Sequence, residues 1–398
     1  MKKNLTTQRI PRTVWALGFV SLFMDMSSEL VHSLLPVFLV GTLGASVMTV
    51  GVIEGVVEAT ALIAKVFSGA ISDFIGRRKG LILLGYGLAA LTKPLFPLAT
   101  SAETVFLARF LDRIGKGIRG APRDALIADV APPAIRGACF GLRQSMDTVG
   151  AILGPLLAIT LMLLFHDDIP LVLWFAVAPA MITVMLIVFG VSEPESEEKS
   201  HVFHSPIHID VLRRFSRGYW WVVIVGAVFS LARFSEAFLV LRAQQTGLST
   251  TWVPLVMVVM SLFYTLSAYP AGKLSDRISR TSMLVIGLVL LIAADMILAQ
   301  AQSVLWLMIG VSLWGLHMGF SQGILATLVA DTTPRELKGT AFGIFNLVSG
   351  VAMLPASVVA GWLWQTYGSA VCFYAGAVFA VLTLALAPRL PHRRREEG

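Results

Sequence analysis

Apolar runs of membrane-crossing length recur along this chain, separated by short polar stretches. Twelve fit, at roughly 14–40, 47–72, 80–99, 104–130, 137–165, 170–190, 219–241, 251–274, 282–300, 304–330, 339–365 and 370–388. Each is near the ~20 residues that a helix needs to cross a ~30 Å hydrocarbon core. In hydrocarbon every backbone N–H and C=O must be paired within the protein, so each run predicts an α-helix. The predicted fold class is an all-α membrane protein of twelve transmembrane helices. A polar break opening SEPESEEK divides it into a six-helix bundle over 1–190, a cytoplasmic linker over 191–218 and a second six-helix bundle over 219–398.

The fourth run departs from this pattern. It reads FLARFLDRIGKGIRGAPRDALIAD from Phe106 to Asp129. Around a helical wheel Arg109, Asp112, Arg113, Lys116, Arg119, Arg123 and Asp124 share one arc, opposite Leu107, Phe110, Leu111, Ile114, Ile118 and Ala121. The stripe is about 21 Å long at 1.5 Å per residue. Facing lipid it would be prohibitively costly, so it must line protein or a watery cavity. Gly115, Gly117 and Gly120 allow close helix approach, and Pro122 predicts a kink.

Other membrane charges form matching stripes. Asp25, Glu29 and His32 share a face of the first span, Glu54, Glu58 and Lys65 a face of the second, and Arg143 with Asp147 a face of the fifth. Acidic and basic groups nearly balance, which predicts an internal ion-pair network. Such a network suits proton coupling, because a carboxylate held by arginine takes up a proton when the arginine withdraws. Asp25, Glu29, Glu54, Glu58, Arg109, Asp112, Arg113, Lys116, Arg143 and Asp147 are therefore the candidates for coupling in a central cavity. The second half is quieter, with Arg233 and Glu236 in span seven, Asp295 in span nine, and His317 and Gln322 in span ten. Coupling is expected in the first half and apolar substrate contact in the second.

Composition agrees with a membrane protein. Of 398 residues 56% are hydrophobic and 14% charged, and the mean hydropathy is +0.78. The net charge of +7 does not indicate nucleic acid, because most of the lysines and arginines lie in the two tails and the loops on one side. In an opposite-side loop only Arg242 does. That asymmetry predicts cytoplasmic termini in a plasma (inner) membrane. The basic N-terminus precedes a run too long for a cleaved leader, so it reads as a first span. Cys139 and Cys372 lie in spans and make no disulfide framework. His201, His204 and His208 punctuate the linker, but Pro206 interrupts any shared face, so no metal site is expected.

The two halves repeat. Gly69-x-x-Ser72-Asp73-x-x-Gly76-Arg77-Arg78-Lys79 follows span two, and Gly272-x-x-Ser275-Asp276-Arg277-x-x-Arg280 follows span eight. Leu126-Ile127-Ala128-Asp129 through Gly141 is matched by Leu328-Val329-Ala330-Asp331 through Gly343, at nearly the same offset. Parallel repeats of this kind place a binding site at their interface near the midplane.

On these motifs the chain resembles the major facilitator superfamily over essentially its whole length. The resemblance rests on the G-x-x-x-D-x-x-G-R-R-K loop, on Arg113, Gly117, Gly120 and Ala121 in span four, and on Gly150, Gly154 and Pro155 in span five. Lys116 stands where the family usually shows glutamine, and Leu156 and Leu157 where it usually shows further glycines. The span-four signature D-R-x-G-K-G-x-R-x-A-P-R-D is similar to one in a prokaryotic branch. The resemblance implies a cytoplasmic gate at Asp73, Gly76, Arg77 and Asp129, with Asp276, Arg277 and Asp331 as a weaker copy. It also implies an antiporter motif at Gly150, Gly154 and Pro155.

The function expected is a secondary transporter working by alternating access, exporting a small amphiphilic drug or metabolite in exchange for protons. The alternatives are proton-coupled symport of a small organic or phosphorylated anion, and export of a metal chelate or siderophore. No P-loop, zinc H-E-x-x-H or nucleophile elbow occurs, so neither an ATP-driven pump nor an enzyme is expected. The expected partners are a small-molecule substrate, protons and the lipid bilayer, with no nucleic acid and no cofactor beyond the proton gradient. A monomer is expected.

Overall fold

The computed structural model describes residues 9–193, 212–275, 278–334 and 337–390. Among them no β-strand occurs. The helices before the linker are α1 (Arg12–Val37), α2 (Val47–Ile75), α3 (Arg78–Thr92), α4 (Ala102–Val130), α5 (Arg136–Leu164), α6 (Ile169–Trp174) and α7 (Val177–Gly190). Those after it are α8 (Arg217–Ala232), α9 (Ala237–Gln245), α10 (Leu255–Ser275), α11 (Arg280–Gln300), α12 (Val304–Ser321), α13 (Ile324–Thr332), α14 (Lys338–Tyr367) and α15 (Ser369–Leu386). Among the described residues ten helical stretches are long and apolar enough to cross a membrane. α3 and α4 fall outside that set, α3 with only 15 residues and α4 because charge crowds its 29. Both pack among apolar helices, α3 on α4 and α7, and α4 also on α2.

Local chemistry sets the helix ends. The Ser46 hydroxyl accepts the Thr49 N–H at 3.0 Å and starts α2. Gly76, in the left-handed region at φ 68°, ends it. Ser101, Asp168, Ser216 and Ser279 cap α4, α6, α8 and α11 in the same way as Ser46. α4 runs unbroken through Pro122.

Three expected spans are divided. Span six breaks between α6 and α7, where Pro179 cannot donate to the Phe175 carbonyl. Span seven, expected as one helix over 219–241, breaks from Arg233 to Glu236. There the Ser235 hydroxyl accepts the Ala237 N–H at 3.2 Å and replaces a helical bond. Span ten breaks at Gln322 and Gly323.

Helices up to Gly190 pack chiefly on one another: α1 on α5 and α7, α2 on α4, α3 on α4 and α7. After the linker the pattern recurs in register: α8 on α14 and α15, α10 on α12, α11 on α12 and α15. Across the two sets α2 meets α14 and α5 meets α10, an interchange of equivalent helices.

The α2–α14 contact is tight because glycines remove side chains from it. A Cβ on Gly51 would strike the Ser357 carbonyl oxygen. One on Gly55 would lie 2.7 Å from the Leu354 oxygen, and one on Gly361 3.0 Å from the Val47 oxygen. On the face away from the chain ends, the Met48 N–H donates to Gln365 Oε1 at 3.1 Å. On the same face the Thr251 hydroxyl donates to Asp167 Oδ1 at 2.6 Å. These contacts hold the two sets together on that face. Further along, Lys65, Lys116, Gln144 and Gln322 are exposed although each sits in or between membrane-length helices. Polar side chains exposed at these positions imply an opening on the face that carries the chain ends.

Candidate functional site

The Glu54 carboxylate of α2 is 1% exposed. The Arg109 Nη2 of α4 donates to both its oxygens, at 2.9 and 3.0 Å. The Ser235 hydroxyl, in the break of span seven, donates to its Oε2 at 3.0 Å. His32 of α1 places Nε2 3.7 Å from the same oxygen. The Ser235 N–H in turn donates to the Ser357 hydroxyl of α14 at 3.2 Å. One carboxylate therefore joins three elements of the first half to two of the second. Such a group is tolerable without water only because its lone pairs are this fully engaged.

The next turns continue the pairing. Arg113 meets Glu58 at 3.0 Å, and His32 Nδ1 lies 3.5 Å from Glu29. On the far side of α4, Lys93 donates to Asp112 at 3.0 Å and to the Ser28 hydroxyl at 3.0 Å. Sequence reasoning passed over Lys93. A partner sought for every intramembrane charge would have found it, since Asp112 otherwise lacks a cation off its own helix.

Towards the opening the cations are held less by carboxylates. The Arg119 guanidinium stacks over the Tyr86 ring at 4.4 Å. Arg123 donates to the Ser21 and Tyr86 hydroxyls at 3.1 and 3.2 Å, and to Asp124 at 3.2 Å. Arg143 pairs with Asp147 on its own helix and lies 3.7 Å from Asp124. Asp25 has Asp147, Lys116, Arg119 and Glu29 as its electrostatic neighbours. Lys116 and Lys65 carry no ion pair with a carboxylate among the described residues.

In the second half Arg233 and Glu236 come to the same centre because span seven opens there. Glu236 senses His32, Arg233, Glu29 and Glu58, and Arg233 leans on the Phe229 ring at 5.8 Å. Gln322 is exposed at the break of span ten. His317 is instead fully buried, edge-on to Trp314 with ring centroids 5.3 Å apart, and neither ring nitrogen has a hydrogen-bond partner. Ser235 and Tyr86 were not foreseen, because a serine or tyrosine in an apolar run carries no distinctive pattern.

The loop after α2 shows a different arginine at work from the one expected beside Asp73. Arg78, not Arg77, reaches Asp73 at 3.1 Å and Asp129 at 2.6 Å. Arg77 is exposed and precedes the first turn of α3. Gly76 turns the chain so that the next residues enter α3, which points Arg78 back between α2 and α4. Glu193 accepts the N–H groups of Arg78 and Lys79 at the start of α3, an anion at a helix N-terminus. In the second half Arg280 pairs with Asp331, whereas Asp276 and Arg277 lie outside the described residues. Each cluster ties helices within one half.

Gly150 and Gly154 lay α5 on the α1 backbone. A Cβ on Gly154 would be 2.6 Å from the Met26 carbonyl oxygen, and one on Gly150 would strike that of Leu22. Pro155 is buried beside them. Among the described residues no group of three or more His, Cys, Asp and Glu side chains could hold a metal. His201, His204 and His208 lie outside those residues.

Comparison with known proteins agrees with this architecture. The family model of the Major Facilitator Superfamily matches residues 17–260 and 235–398. The chain belongs to the Major Facilitator Superfamily. An uncharacterised MFS-type transporter of Methanocaldococcus jannaschii is 30% identical over 388 residues, covering 96% of each chain. The inner membrane transport protein YajR of Escherichia coli is 23% identical over 391 residues, 94% of this chain and 82% of its own. Among solved structures the nucleoside transporter NupG superposes with a TM-score of 0.80 at 13% identity, covering 95% of this chain and 99% of its own. The human organic anion transporter MFSD10 does so with 0.67 at 19% identity, covering 94% and 99%. The protein is thus an MFS transporter, an all-helical membrane protein that carries small molecules.

Proposed function

We propose that this MFS transporter is a proton-coupled antiporter that exports a small amphiphilic compound by alternating access. Twelve spans, those of α3 and α4 included, would cross the inner membrane with both termini in the cytoplasm. The observation that carries this reading is the Glu54 node. A buried carboxylate shared between Arg109 of the first half and Ser235 of the second links protonation to the contact between halves. A proton on Glu54 cancels its attraction for Arg109 and weakens the bond from Ser235, which loosens the sealed outer face. Glu58 on Arg113, one turn nearer the cytoplasm, offers the next proton stop. The opening described above is then the cytoplasm-facing entry for substrate, and the Arg78 and Arg280 clusters hold each half rigid as the halves rock. Gly150, Gly154 and Pro155 support antiport through the family resemblance.

The test is proton flux in inside-out vesicles with an acidified interior. A panel of cationic and anionic amphiphiles is added singly, and fluorescence dequenching is followed for the wild type, Arg109→Ala and Arg113→Ala. Dequenching by at least one compound in the wild type, lost in both variants, is expected. A panel without dequenching, joined to substrate accumulation in right-side-out cells, would replace export by uptake.

A further inference from the structure

We propose that the substrate enters as an anion, its carboxylate or phosphate head docking between Lys65 of α2 and Lys116 of α4. This deepens the transport reading above and rests on the same cavity.

The charges in the first half are layered. In the inner layer Glu54, Glu58 and Asp112 are each matched by a cation, Arg109, Arg113 and Lys93. Nearer the opening lie Lys65, Lys116, Arg119, Arg123 and Arg143 against Asp25, Asp124 and Asp147. The three carboxylates there are partly spoken for, since Asp147 pairs with Arg143 and Asp124 with Arg123 and Arg143. Both lysines are exposed and within reach of solvent-borne ligands. The stem of Lys65 runs beside Gly120, where an added Cβ would lie in ordinary contact at 3.8 Å from Lys65 Cε. Its ammonium lies near Arg123, Arg143 and Lys116 as like charges and near Asp124 as an opposite one, while Lys116 lies near Asp25, Glu29 and Glu58. Arg119 Nη1 of α4 and Arg143 Nε of α5 are buried without a hydrogen-bond partner, as is Asp147 Oδ1. Cations gathered in excess on facing helices, with donors unspent, are relieved by an anion. A cationic ligand would meet the same repulsion, against Asp25 and Glu236 as the carboxylates near the centre that carry no ion pair among the described residues.

Spans eight and ten of the second half supply the apolar side. Between Leu255 and Leu274 the only charge is Lys273, near the helix end, and between Val304 and Ala330 there is none beyond His317. A molecule with one anionic head and an apolar body matches that division.

The test is equilibrium binding to detergent-solubilised full-length protein, with hexyl phosphate and hexylammonium as matched probes, by calorimetry. Hexyl phosphate is expected to bind and hexylammonium to bind at least tenfold more weakly. The Lys65→Gln/Lys116→Gln variant should weaken hexyl phosphate at least tenfold with its ligand-free melting temperature unchanged. Lys116→Arg should retain binding. If the double variant does not fold, Lys116→Gln alone is used, glutamine being the usual family residue there. Equal or tighter hexylammonium binding, undiminished binding by the variant, or no hexyl phosphate binding overturns the proposal. Because binding needs no gradient, a null proton-flux experiment beside intact hexyl phosphate binding would remove antiport and leave the anion site standing.

Discussion

The Ser235 hydroxyl donates to the Glu54 carboxylate at 3.0 Å, joining residues 181 positions apart in sequence. Glu54 is already held by Arg109, so Ser235 ties the second half to a charged centre of the first. Hydrogen bonds to charged groups contribute about 1.5–3 kcal/mol. Ser235→Ala should therefore shift the balance between sealed and open outer faces by about tenfold towards open. Labelling of a cysteine at Val50, which is buried two residues into α2 from the Met48 bond to Gln365, measures this. An unchanged labelling rate would show that the bond carries no part of the seal.

Gly51 is expected to act on the same equilibrium by sterics. Any side chain there meets the Ser357 carbonyl, which is backbone and cannot rotate away. Gly51→Leu should hold α2 off α14 and expose the buried Val50 position, with a cost to the sealed form of about 1–3 kcal/mol. Gly80→Leu, where nothing lies within 4 Å of the added Cβ, is the control and should leave labelling unchanged.

Lys93 and Asp112 give a test of buried-pair energetics. Lys93 is 1% exposed, so Lys93→Met strands a carboxylate and should cost about 3–5 kcal/mol. Lys93→Met combined with Asp112→Leu removes both charges and should recover most of that loss. Thermal unfolding of the two variants in detergent decides it, and equal destabilisation would mean the pair is not a unit.

Arg78 and Arg77 should separate clearly. Arg78 bridges Asp73, Asp129 and the Ser72 hydroxyl, but Asp73 and Asp129 are themselves exposed, so the loss in Arg78→Ala should be only about 1 kcal/mol. Arg77→Ala should fall within about 0.5 kcal/mol of wild type. Melting temperatures give the comparison, and the reverse order would restore Arg77 as the partner of Asp73.

Much of the architecture was legible because the membrane imposes it. Runs such as 282–300 and 370–388 read as helices on length and apolarity alone and appear as α11 and α15. The charged face of α4 was legible for the same reason, since a stripe that lipid cannot accept must face inward. The breaks in spans six, seven and ten were not, because each depends on a local exchange of one backbone bond for another. At Ser235 the replacement is a side chain, and only the fold brings Glu54 and Ser357 to it.

The order of polar and apolar residues thus determined by itself most of the helices and which groups must be buried, because each follows from the cost of placing that group in hydrocarbon, while the loop and glycine motifs carried the family. The partners were decided by tertiary structure alone. Arg78 rather than Arg77 reaches Asp73, Lys93 finds Asp112, and Glu54 rather than another carboxylate meets the second half. Pairing depends on which helix faces cross and at what height, and that is set by packing summed over the whole bundle rather than by spacing along any one helix.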